Sequence, residues 1–136
     1  AYIEAQIRAF LDGHRTNDGG QMVSIVTELQ PEDIPFVAEW FANQDPPAPY
    51  TAVEDTKAGA AAFAEMGCAT CHENAEDPLA PHLTAQKPGY LAKQMTDFRE
   101  GGRDAASAPG MHADLLAVSD HKIRAIAAYL GAEPRQ

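Results

Sequence analysis

Apolar residues recur at helical spacing in two stretches near the start of the chain. Ile3, Ile7, Phe10 and Leu11 form one stripe, and Ile34, Val37, Ala38 and Phe41 form another, the pattern of amphipathic helices. Further on, the alanine-rich "DTKAGAAAFAEMG" favours helix by intrinsic propensity. The pattern predicts helices at about 2–12, 31–42, 55–66, 68–73, 89–100 and 119–130. No alternating strand pattern appears, so an all-α fold is expected. Pro31 suits the first turn of its helix and Ser119 can cap the last one. Gly59 and Phe63 lie one turn apart, and the missing Cβ of Gly59 would let the helix at 119–130 cross closely, with Tyr129 against Phe63.

Between the second and third helices, "NQDPPAPYTAVEDT" carries Pro46, Pro47 and Pro49, which makes a stiff extended connector. The expected organisation is therefore a segment 1–43, a linker 44–54 and a domain 55–136. No run of eighteen apolar residues exists, so no transmembrane segment is predicted. With 10 Lys and Arg against 20 Asp and Glu, the formal charge of −10 repels phosphate backbones and anionic lipid. Nucleic acid is excluded as a partner, and a basic protein surface is favoured. Ala1 at the start, in place of methionine, suits a processed chain or a fragment.

The only two cysteines fall in one word, Cys68-Ala-Thr-Cys71-His72. A Cys-x-x-Cys can be a redox dithiol, half of a zinc site or a haem attachment point. A thioredoxin-like dithiol should follow a strand in a βαβ pattern, whereas the residues before Cys68 read as helix. A structural zinc ion needs four ligands, and no second paired motif closes a tetrahedron. A covalently attached haem needs two thiols one helical turn apart and an adjacent histidine for the iron, and Cys68, Cys71 and His72 supply all three.

An electron-transfer haem also needs a second axial ligand, and a thioether is the choice that raises the potential. Met66, Met95, Met111, His82, His112 and His121 are the candidates. Met66 is too near the cysteines to cross the ring, and Met95 reads as core filler on a helix. Met111 follows Pro109 and Gly110, which mark a loop able to fold over the far face, and it is the choice, with its neighbour His112 as the main rival. His82 and His121 read as solvent-facing residues.

Taken together, Cys68-x-x-Cys71-His72, Pro81-x-Leu83-x-x-Gln86, "YLAKQMTDFREGGR", Met111 and "LLAVSDHKIRAIAAYL" resemble a class I c-type cytochrome domain of the cytochrome c4 kind, over residues 55–131. The resemblance implies an all-helical cytochrome c fold around one covalently bound haem c, with His72 and Met111 as axial ligands. It further implies that the Pro81 carbonyl accepts a hydrogen bond from the His72 ring. By the same resemblance Tyr90 is a cofactor-binding residue, and Arg99 and Arg103 lie near the haem edge.

An internal repeat accompanies it. Tyr2, Gln6, Phe10, Gly13 and Arg15 match Tyr90, Gln94, Phe98, Gly101 and Arg103 at one constant separation. After a single-residue slip, Met22 matches Met111, Ile34 matches Ile123 and Trp40 matches Tyr129. Residues 1–43 thus resemble the C-terminal half of an upstream domain of the same kind, without a second Cys-x-x-Cys-His. The apolar stripes of this segment need cover, either from a companion chain that carries the other half-domain and a second haem for Met22, or from packing as a haem-free cap, including in a swapped dimer.

The expected function is outer-sphere electron transfer between redox proteins, in a periplasmic carrier rather than an enzyme. Its partners would present basic docking surfaces, and association would weaken as salt rises. A cytochrome subunit of a larger dehydrogenase is the main alternative. A haem peroxidase and a ligand sensor, each needing an open iron position, are further ones.

Overall fold

The structure is a computed structural model that describes residues 1–52, 55–73, 77–104 and 115–135. Its described residues fold as helices joined by turns, with no strand among them. They pack as two groups on either side of the proline-rich connector.

In the first group, α1 (Tyr2–Leu11) buries Ile7 and Phe10, the inward side of its apolar stripe. The chain then turns through Gly13, whose φ of 76° is open to glycine at little cost, and folds back so that the Arg15 N–H reaches the Ala9 carbonyl at 2.9 Å. A short helix not anticipated from the hydropathy pattern, α2 (Gln21–Val26), contributes Val26 to the core. Instead of one helix over 31–42, a 3-10 turn at Pro31–Asp33 leads into α3 (Ile34–Ala42). Pro31 and Pro35 have no N–H to donate to the turn before them, which suits a tight start to the helix. Ile7, Phe10, Val26 and Ile34 form the buried centre of this group, with Met22 and Val37 against it.

The second group contains α4 (Lys57–Glu65), α5 (Ala69–His72), α6 (Pro88–Glu100) and α7 (Asp120–Ala132). Helix α7 begins at Ser119, whose hydroxyl accepts from the Lys122 N–H at 3.2 Å, satisfying one of the orphan donors of a first turn. It packs against both α4 and α6. At its crossing with α4, a Cβ on Gly59 would come within 2.0 Å of the Ala125 carbonyl oxygen and 2.7 Å of Tyr129 Cβ, so the close approach expected of Gly59 is present. Phe63 and Tyr129 meet beside it as a tilted ring pair, with centroids 5.9 Å apart. Phe63, Leu91, Ile126 and Leu130 form one buried cluster. Phe98, Leu115, Val118 and Ile123 form a second, and Met66 and Met95 pack against both. The linker is tied to this group by the Tyr50 N–H, which donates to the Gly131 carbonyl at 2.8 Å.

The repeat is visible in the backbone as well as in the residue types. The Arg103 N–H returns to the Asp97 carbonyl at 3.1 Å, as Arg15 does to Ala9, after a turn through Gly101 at φ 78°. Arg15 lies 4.7 Å over the Phe10 ring and Arg103 4.4 Å over that of Phe98. Ile34 and Ile123 are each only 1% exposed. The two groups differ in what covers them. On α7, Ala125, Tyr129 and Leu130 face or support the packing of α4, whereas the corresponding Phe36, Trp40 and Phe41 of α3 are 70%, 59% and 56% exposed.

Candidate functional site

The cysteine word occupies the turn that follows α4. The Cys68 N–H donates to the Phe63 carbonyl at 3.2 Å, and the Cys68 carbonyl in turn accepts from the His72 N–H at 3.1 Å. This sets Cys68 and Cys71 one turn apart on a short helix, with His72 at its end. Cys68 is half-buried and packs against the cluster around Phe63 and Leu91, while Cys71 is exposed.

Chain bending at Asp77 supplies the next component. Its carboxylate accepts from the Leu79 and Ala80 N–H groups at 3.0 and 3.2 Å, a side-chain-driven turn. The turn brings Pro81 back to α5, where the His72 Nδ1 lies 2.9 Å from the Pro81 carbonyl oxygen. A carbonyl can only accept, so Nδ1 carries the proton and Nε2 holds the lone pair. That tautomer is the one a metal-ligating imidazole requires when its other nitrogen is held by the main chain.

Beside His72 is a cavity of about 270 Å³, lined by Phe63, Leu83, Tyr129 and Leu130 and edged by His82, Glu73 and Glu133. Burial, reinforced by the negative charges of Glu133 and Glu73, pushes the Tyr129 hydroxyl above its ordinary pKa.

Met66 and Met95 sit in the core as filler, and His82 and His121 are exposed. Met111 and His112 lie outside the described residues. Arg99 ties the end of α6 to the start of α7: it donates to the Val118 carbonyl at 2.8 Å and pairs with Asp120 at 2.6 Å.

The structure puts Tyr90 and Arg103 at the seam between the two helical groups. The Tyr90 hydroxyl accepts from Arg15 Nη2 at 3.1 Å. Arg103 donates to Gln94 and Gln6 at 2.7 Å each, and its burial, opposed by the Tyr2 contact, lowers its pKa. The participation of Gln6 and Gln94 was not anticipated; their shared position in the repeat is the signal that marks them.

Met22 is half-buried at the start of α2, where its N–H donates to the Asp18 carboxylate. Next to it is a half-open cavity of about 480 Å³, walled by Ile3, Ile7 and Phe10 on one side and by Tyr90, Lys93 and Gln94 on the other.

The donor set fits a tethered haem: two thiols one turn apart, an imidazole in the ligating tautomer, and apolar neighbours behind them. Among the described residues, no cluster of three or more His, Cys, Asp or Glu could hold a metal ion.

Comparison with known proteins agrees with this chemistry. The family model "Cytochrome c" matches residues 56–132, more than half of the chain. The chain is 30% identical to cytochrome c4 of Pseudomonas aeruginosa over 95% of its own length and 69% of that protein's. The chain belongs to the cytochrome c family, in its c4-like branch. Its cofactor is accordingly haem c, for which Cys68, Cys71 and His72 form the Cys-x-x-Cys-His attachment motif.

Among solved structures, cytochrome c4 of Acidithiobacillus ferrooxidans superposes on 97% of the chain with a TM-score of 0.82, at 26% identity and over 83% of its own length. A thiosulfate dehydrogenase electron acceptor from Stutzerimonas stutzeri is 41% identical over 56% of this cytochrome chain, which spans 36% of the length of that relative. Among the described residues, no helix is long and apolar enough to cross a membrane.

Proposed function

We propose that this c-type cytochrome is a periplasmic electron carrier rather than an enzyme, with His72 and Met111 as the axial ligands of its haem. The observation that carries the reading is the Cys-x-x-Cys-His turn with the His72 Nδ1 held 2.9 Å from the Pro81 carbonyl. When bound, the haem supplies reversible one-electron exchange at its iron.

The residues of the chain hold that chemistry steady. Cys68 and Cys71 anchor the group to α5, and Pro81 keeps the His72 imidazole from rotating. Phe63, Leu91 and Leu130 exclude water, so that little around the site has to reorganise with the change of charge. Met111 would hold the haem through a soft thioether, which favours the reduced state. Replacing Met111 by Ala tests this. The weak absorption band at the red end of the ferric spectrum should vanish, high-spin iron should appear and the midpoint potential should fall; an unchanged spectrum overturns the assignment.

The chain carries a formal net charge of −10. That charge steers the carrier toward basic patches on its redox partners, with rates that decline as salt screens the attraction. The 41% identity to a thiosulfate dehydrogenase electron acceptor supports a second reading, in which the partner is a dehydrogenase that delivers electrons to this haem.

Residues 1–43 are read as the Met-bearing half of a second haem domain, with Met22 as the iron ligand of a haem carried by a companion half-domain. The cavity of about 480 Å³ beside Met22 and the uncovered Phe36, Trp40 and Phe41 support this. The intact mass and the haem-to-protein ratio of purified material test it. One haem per chain, with no second chain or segment bringing another, would leave residues 1–43 as a cap.

A further inference from the structure

The seam between the two helical groups is one face used twice. Arg15 crosses it to the Tyr90 hydroxyl (3.1 Å) and Gln94 Oε1 (3.2 Å), and Arg103 crosses the other way to the Tyr2 hydroxyl (3.4 Å) and Gln6 Oε1 (2.7 Å). Each arginine also donates to the glutamine of its own group, Arg15 to Gln6 at 2.8 Å and Arg103 to Gln94 at 2.7 Å. The face Tyr90, Gln94, Phe98, Arg103 therefore meets its own residue types, at its own spacing, in Tyr2, Gln6, Phe10 and Arg15. Self-complementarity of this kind is what an isologous two-fold interface requires.

We infer that the Tyr90–Gln94–Phe98–Arg103 face is a docking surface for the same face of a second copy of this chain, and that residues 1–43 occupy it as an internal mimic. Two features keep the internal pairing ahead. Asn17 donates to Asp97 and to Gln94, Lys93 donates to the Asn17 carbonyl at 2.7 Å, and His14 lies 3.6 Å from Asp104. A second copy does not offer these side chains, because Gly102 and Ala105 stand in the sequence of the second group where the first has His14 and Asn17. The linker also holds the mimic at an effective concentration on the order of millimolar. A second copy therefore docks only where the internal face has been pushed aside. Mutual repulsion of two chains of net charge −10 makes that docking stronger, not weaker, as salt rises.

The test uses the full-length haem-loaded protein and sedimentation velocity across a range of concentration and salt. Gln6→Lys places a third cation against Arg15 and Arg103 and leaves the second face intact. It should convert a monomer into a concentration-dependent dimer that salt strengthens. Adding Gln94→Lys spoils the second face too and should restore the monomer. Should Gln6→Lys lose its helical circular dichroism, the pair Tyr2→Ala and Arg15→Ala displaces the mimic by subtraction and is read in the same way. A displaced variant that stays helical, keeps its haem and remains monomeric at every concentration overturns the inference, as does a dimer that persists with Gln94→Lys.

Discussion

Gly59 on α4 and Ala125 on α7 approach so closely that a single Cβ on the glycine would lie 2.0 Å from the alanine carbonyl oxygen. The obstructing atom is backbone, so it cannot swing aside as a side-chain end would. The crossing also sets the Phe63–Tyr129 ring pair and the wall of apolar residues behind Cys68. Gly59→Ala must push the two helices apart, and overpacking of this sort costs about 1–3 kcal/mol. Urea unfolding of the haem-loaded protein should show that loss as a lower midpoint with little change in slope. A variant as stable as the parent would mean that the helices separate freely.

The seam arginines lend themselves to a second measurement. Arg103 is 3% exposed and Arg15 7%, and their acceptors Gln6 and Gln94 are buried with them. Replacing Arg103 by Met keeps the bulk over Phe98 but removes one charged donor from each of Gln94 and Gln6, which keep their bonds from Arg15. Losing hydrogen bonds from a charged donor costs about 1.5–3 kcal/mol. Arg103→Lys should recover only part of this, because one ammonium cannot reproduce the fork that spans both glutamines. Thermal unfolding of the two variants gives the order parent, lysine, methionine.

What could be read from the residues alone follows the range of each interaction. The attachment turn was legible because its chemistry lies within the five residues Cys68 to His72. The α4–α7 crossing was legible because Gly59 and Phe63 share one helix face. Helix α2 was not, since its start depends on the Asp18 carboxylate accepting from the Gly20 and Met22 N–H groups, a local bond that hydropathy does not encode. The repeat linking Gln6 to Gln94 and Arg15 to Arg103 was plain in the sequence. It marks equivalence, however, and equivalence does not say that the two copies touch. The single expected helix at 31–42 became a 3-10 turn and a helix because Pro31 and Pro35 lie within one turn of each other.

The two cysteines should differ when removed. Cys68 packs against the Phe63 and Leu91 cluster, and Cys71 is exposed. Either single alanine variant should keep the haem on the chain through the remaining sulfur, and the double variant should run at the mass of the bare polypeptide. Loss of its apolar contact makes Cys68→Ala the less stable single variant, by about 1 kcal/mol. Intact-mass spectrometry and denaturant titration check both statements, and a double variant that still carries covalent haem would contradict the attachment.

The loop before α2 should keep its acidic anchor until low pH. Burial raises the pKa of Asp18, but the Met22 and Gly20 N–H groups, its own N–H and the Arg15 charge outweigh it, so the carboxyl is held below the ordinary value of 3.8. A carboxylate with a depressed folded pKa contributes stability that is fully present above that ordinary value and disappears as pH falls through the folded one. Between neutrality and about pH 4 the Asp18 contribution should therefore be flat, and it should fade at lower pH. Asp18→Asn, whose amide neither ionises nor accepts as strongly, should be less stable than the parent near neutrality. The difference should narrow steadily once the parent carboxyl takes up its proton. Denaturation midpoints of parent and variant at stepped pH measure it, and a gap that stays constant into the acid would show that the charge of Asp18 is not what holds the start of α2.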